Sequence, residues 1–109
     1  MGKYMLVVGL NCSDQAKEAE FNEWYNTIHF PDVLETAGFA RATRWEHISP
    51  GEKDAKFLAL YEVETDDIDA TMKALNETIA KKREEGRMSD LGSRVIMGTY
   101  RHLYALESK

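Results

Sequence analysis

A single cysteine, Cys12, in a chain of 109 residues excludes an intramolecular disulfide and any multi-cysteine zinc or iron–sulfur site. Nothing marks the chain as a small secreted disulfide scaffold, and a cytoplasmic location is the expectation. There are only two prolines, and no proline-rich linker, low-complexity block or repeat, so a single domain over residues 1–109 is expected. Long apolar runs are also absent. The longest near the N terminus, Met5–Val8, falls far short of the roughly 20 residues of a membrane span, and is shorter than the about 7–15 residues of a signal-peptide core. Basic residues are too few and too scattered for a nucleic-acid surface: 14 Lys and Arg stand against 19 Asp and Glu, for a net charge of −5. The expected partners are small molecules or proteins, with no membrane and no nucleic acid.

Motifs for bound groups are equally sparse. The three histidines, His29, His47 and His102, have no metal-ligand spacing and no cysteine partner, so no zinc site is expected, although a carboxylate-rich site stays open. Val8-Gly9-Leu10 follows a strand-like run but lacks the further glycines of a nucleotide-binding loop. There is no Gly-x-Ser-x-Gly elbow, and Cys12 has no histidine or basic cluster beside it to activate the thiol. No cofactor is expected from these residues; haem stays open, because one histidine suffices to hold it.

What is present is an alternation of amphipathic elements. Tyr4–Leu10 is short, apolar and Val-rich, a strand ended by Asn11-Cys12-Ser13-Asp14. Ser13 or Asp14 caps a helix whose Phe21, Trp24, Tyr25 and Ile28 fall at i, i+3, i+4 and i+7. Pro31 predicts a bend at His29-Phe30 and a short second helix over Pro31–Thr36, closed near Gly38. Phe39–Ile48 reads as a strand, Ser49–Lys53 as a turn and Lys56–Val63 as the hairpin partner. Thr65 or Asp66 caps a helix with the stripe Ile68, Met72, Leu75 and Ile79, acidic at its start and basic at Lys81–Arg83. A polar loop over Glu84–Ser93 precedes a last strand, Arg94–Leu106, with a break or bulge at Gly98.

The order β-α-β-β-α-β predicts the α+β class: a ferredoxin-like domain with a four-stranded antiparallel sheet and both helices on one face. A sheet with one wet face should alternate apolar and polar residues. Leu6-Val7-Val8 and Phe57–Tyr61 do not. A monomer rarely exposes several hundred Å² of contiguous apolar surface, so the second face is expected to pack on another copy in a homodimer.

Between Glu20 and Glu46 the chain carries Trp24-Tyr25, His29-x-Pro31, Gly38-Phe39 and Arg44-Trp45. This resembles the helix-to-strand signature of the dimeric α+β barrel superfamily, in particular its EthD-like group. The match covers about a quarter of the chain. It implies two sheets packed face to face in a dimer, in agreement with the strand-face reasoning. The superfamily includes cofactor-free monooxygenases, polyketide cyclases, lactone isomerases, haem-handling enzymes and members without known activity.

His29 is the leading candidate for chemistry, since an imidazole takes or gives a proton near neutral pH. Its structural alternative is a helix C-cap that bonds the last carbonyls. If odd positions face the helices, Trp45 and Tyr61 join Tyr25 and Phe39 around an aromatic pocket able to hold a planar ligand, the alternative being a filled aromatic core. Arg44 would steady an anionic oxygen if it faces inward. Tyr100, His102 and Tyr104 alternate on the last strand, so His102 is a second proton carrier, a dimer contact or an exposed edge residue. The Glu84–Ser93 loop is a candidate lid.

Two functions fit. One is a cofactor-independent cyclase, isomerase or monooxygenase-type enzyme that moves a proton on a small apolar or aromatic metabolite, with His29 catalytic and Tyr25, Arg44, Trp45, Tyr61 and His102 around the substrate. The other is a non-catalytic dimeric binding or accessory protein for a similar ligand. A closed aromatic core without a cavity of about 300 Å³ would argue against both.

Overall fold

The computed structural model describes residues 1–109. Its four strands are β1 (Gly2–Cys12), β2 (Phe39–Glu46), β3 (Phe57–Thr65) and β4 (Gly92–Arg101). They form one antiparallel sheet in the order β2-β3-β1-β4. The first helical stretch comprises a 3₁₀ turn (Gln15–Lys17), α1 (Glu18–Trp24), a π-helical turn (Tyr25–His29) and α2 (Phe30–Val33); the second is α3 (Ile68–Glu84). This is the ferredoxin-like α+β architecture expected from the element order. The core lies between the helices and one sheet face, where Phe21, Tyr25, Val33 and Leu75 meet Leu6 and the odd residues Phe57, Ala59, Tyr61 and Val63 of β3.

The helix caps follow simple chemistry. Asp14 accepts from the Ala16 amide at 3.0 Å, and Asp67 accepts from Ala70 at 3.1 Å. The second cap is thus Asp67 rather than Thr65 or Asp66, because Thr65 is still in β3 and its hydroxyl accepts from the Asp67 amide.

Pro31 does not bend the chain as expected. His29 and Phe30 both keep right-handed helical dihedrals, and the helix runs on to Val33. The Phe30 amide reaches back five residues to the Tyr25 carbonyl, giving a wider turn that relieves the clash a proline ring makes with the carbonyl four residues earlier. Gly38 then turns the chain into β2 at φ +95°, a conformation L side chains avoid.

The second correction is one of parity. Phe39 pairs with Val63, but Arg41 pairs with Glu62, so a bulge at Ala40 absorbs one residue. Beyond it the faces of β2 exchange. Ala42 and Arg44 oppose Tyr61 and Ala59 on the helix side, whereas Thr43 and Trp45 oppose Leu60 and Leu58 on the open side. Trp45 therefore leaves the aromatic pocket assigned to it, and its indole nitrogen donates to Thr43 at 2.9 Å.

In β4 the irregularity lies at Val95, skipped between Arg94 and Ile96, and not at Gly98, which pairs regularly with Val7. The strand stops at Arg101, just past which the His102 amide donates to the Lys3 carbonyl at 2.8 Å. His102 and Tyr104 therefore lie in an exposed tail and not on a strand face.

The open face carries Met5, Val7, Leu58 and Leu60, half-buried, with Trp45 57%, Ile96 50% and Tyr100 61% exposed. No element of the chain covers it. No helix is long and apolar enough to cross a membrane.

Candidate active site

On the helix side lies a cleft of about 220 Å³, bounded by β1, the first helical stretch, α3 and the start of β4. It falls short of the roughly 300 Å³ at the low end for drug-sized ligands. One or two rings are what it can hold. Its walls combine Leu6, Val8 and Ile79 with Tyr25, His29 and Tyr61.

His29 is placed by the π-helical turn. Its ring stacks on Trp24, with centroids 4.8 Å apart and planes 20° apart, and meets the Tyr25 ring edge-on at 4.8 Å. It is not a helix C-cap: the helix continues four residues past it, and the ring makes no hydrogen bond or ion pair within the chain. Burial pushes its pKa down to about 4, against a smaller opposing pull from the Asp32 carboxylate one turn away. The imidazole is neutral at pH 7.

Asp32 makes no hydrogen bond to that ring and is held by Arg87 instead: Nε donates to one oxygen at 2.7 Å and Nη2 to the other at 3.0 Å. The Arg87 hydrogen bonds hold the Asp32 carboxyl below the usual range. The Trp24 indole donates to the Arg87 carbonyl at 2.8 Å. The loop after α3 is thereby tied at two points to the helix that carries His29, and its Met88 and Ser89 close one side of the cavity. No element of sequence pattern marks this pair, whose members stand 55 residues apart.

The cavity wall also carries a hydroxyl pair, Tyr25 Oη and Tyr61 Oη, 3.1 Å apart and buried. Burial raises both pKa values, so both stay protonated. One hydrogen serves the contact between them; the other is free to donate.

Of the residues singled out from sequence, Tyr25, His29 and Tyr61 share the cavity wall. Arg44 lies behind it on the helix side, its guanidinium 4.7 Å over the Tyr25 ring and 5.2 Å over Phe57, with Nη1 donating to Asn26 at 3.2 Å. Trp45 stands on the open sheet face, and His102 in the tail. No three His, Cys, Asp or Glu side chains converge as a metal site would require.

No family model and no curated protein matches the chain. Solved structures match over nearly its whole length. SnoaB, a cofactor-independent oxygenase from Streptomyces nogalater, aligns with a TM-score of 0.64 at 16% identity, covering 99% of this chain and 100% of its own. A dimeric ferredoxin-like protein from an uncultured marine organism aligns at 0.60 and 12% identity, covering 99% and 100%. An ethyl tert-butyl ether D (EthD) family protein from Bacillus halodurans aligns at 0.56 and 13%, covering 90% and 97%. At such identities the likeness is one of fold: this chain shares the ferredoxin-like fold of these proteins, an EthD family member among them.

Proposed function

We propose that the protein is a small cofactor-independent enzyme that moves a proton on a planar, largely apolar or aromatic metabolite, with His29 as the acid–base group. The observation that carries this reading is a neutral imidazole, free of partners in the chain, on the wall of a cavity that also presents a protonated tyrosine pair.

A neutral imidazole can accept a proton from a carbon next to a carbonyl, which leaves the electron pair delocalised onto the carbonyl oxygen. A hydroxyl of the Tyr25–Tyr61 pair would donate to that oxygen as its charge develops. With a pKa of about 4 the resting imidazole is a weak base. The negative charge formed beside it, together with Asp32, raises its proton affinity as the proton arrives. Returning the proton at another carbon gives an isomerisation; closing a ring on the enolate gives a cyclisation. Arg44, stacked on Tyr25, positions the tyrosine and does not itself reach the cavity.

A second copy covering the open sheet face completes the proposal. Its support is the uncovered apolar centre around Val7, Leu58, Trp45 and Ile96, together with a fold neighbour described as dimeric.

Phenylpyruvate and its methyl ester both carry an acidic benzylic carbon of suitable size, one as an anion and one neutral. Deuterium exchange at that carbon in D₂O, followed by NMR, is expected to be accelerated by the protein. His29→Ala should slow it by about 100-fold or more with the fold intact. Acceleration that persists without His29 would contradict the role; binding without exchange would leave a binding protein.

A further inference from the structure

We infer that the cavity selects an organic anion: a flat aromatic body among the apolar walls, with its carboxylate or equivalent anionic oxygen met by Arg94 and Arg83. The inference rests on the reading of this cavity as a ligand site and adds the charge class of its occupant.

The cavity wall contains no aspartate or glutamate, although acidic residues outnumber basic ones 19 to 14 in the chain. Its two permanent charges are both guanidinium groups, Arg83 at the last turn of α3 and Arg94 near the start of β4. Neither makes an ion pair or a side-chain hydrogen bond. Several of the other cations are instead held by carboxylates. Arg87 is held by Asp32 at 2.7 Å, Lys82 by Glu35 at 3.0 Å, Lys56 by Glu18 at 2.7 Å and Arg41 by Glu62 at 2.7 Å.

The nearest buried carboxylate, Asp32, is held at both oxygens by Arg87 and does not line the cavity. Arg83 gains some stabilisation from the negative end of its helix. Arg94, in a strand, has no such backbone reason to be there. It lines the same cavity as Tyr25 and His29.

Two further groups fit an anion. The Ser89 hydroxyl oxygen accepts from the Leu91 amide at 3.1 Å, which leaves its hydrogen to donate into the cavity. Gly92, two residues before Arg94, presents no side chain there, and a Cβ would stand 3.4 Å from the Phe21 ring. Guanidinium groups bind carboxylates through parallel, charge-assisted hydrogen bonds that a neutral isostere cannot match.

The test compares trans-cinnamate with trans-cinnamamide, the same flat body with and without charge, by NMR chemical-shift titration of the protein at neutral pH. Cinnamate is expected to bind about tenfold more tightly or better, as charge-assisted contacts of this kind warrant. In the Arg83→Gln/Arg94→Gln variant the preference should collapse to within about twofold, whereas Arg101→Gln, which removes a positive charge away from the cavity, should keep it. Equal binding of the two probes, or a preference that survives in the double variant, overturns the charge selection while leaving the cavity a ligand site. Binding of neither probe overturns the ligand site as well.

Discussion

Arg87 occupies both carboxylate oxygens of Asp32, at 2.7 and 3.0 Å, so the acid one helical turn from His29 secures a loop instead of orienting the imidazole. The Asp32 side chain is only 6% exposed, and its next nearest cation, Lys82, stands 3.9 Å away. Removing Arg87 strands a buried charge. Arg87→Ala is expected to destabilise the fold by about 2–3 kcal/mol, as losing one partner of a largely buried pair does. Urea unfolding measures this, and amide exchange should quicken in the loop after α3 that carries Met88 and Ser89.

The same two acid–base groups shape stability against pH. His29 has a folded pKa of about 4, below its ordinary 6.5, so between these values the unfolded chain binds the extra proton. Stability is therefore complete above about pH 6.5 and falls as the pH drops towards 4. Asp32, lowered by Arg87, adds stability that is present above the ordinary carboxyl range and lost as the pH falls through its folded value. Tyr25 and Tyr61, both raised by burial, keep one protonation state over this window. Urea midpoints of the protein and of His29→Gln should converge as the pH falls from 7 to 5, since the variant loses only the His29 part of the slope. A gap that stays constant would contradict the buried neutral imidazole.

Gly38 explains part of the Gly-Phe step that first drew attention to this region. At φ +95° it faces the Glu64 carbonyl, and a Cβ there would lie 3.2 Å from that oxygen. Gly38→Ala should cost about 1–3 kcal/mol, the usual strain of a side chain at positive φ, read as a lowered thermal midpoint.

The open face gives a separate prediction. Trp45→Glu together with Ile96→Glu places one carboxylate on each edge strand of the open face, where neither residue supports the monomer core. Sedimentation should show a dimer for the protein and a folded monomer for the variant. A monomer at micromolar concentration without substitution would remove the second copy from the proposal.

How far the sequence could be read depended on the range of each cause. The strands and helices follow from apolar spacing over four to ten residues, and the excess of apolar positions in β1 and β3 already pointed to an uncovered sheet face. His29 and Tyr25 could be placed together because one helix turn links them. Trp45 could not, since a bulge at Ala40 leaves no mark in the pattern of Phe39–Glu46 yet exchanges every side chain after it. Arg44, expected to steady an oxygen, was carried to the helix side by the same shift and spends its charge on the Tyr25 ring. His102 lies just past the end of the last strand at Arg101, an end that leaves no mark in the alternation of Tyr100, His102 and Tyr104. Asp32, Arg87 and Arg94 reach the site only by tertiary contact.

The most direct test is an NMR titration of the His29 ring, assigned by comparison with His29→Gln, in the free protein and with trans-cinnamate bound. The account predicts a midpoint of about 4 in the free protein, which rises when the anion occupies the cavity beside the imidazole. A midpoint near 6.5 that does not move with cinnamate would place His29 in solvent and contradict it.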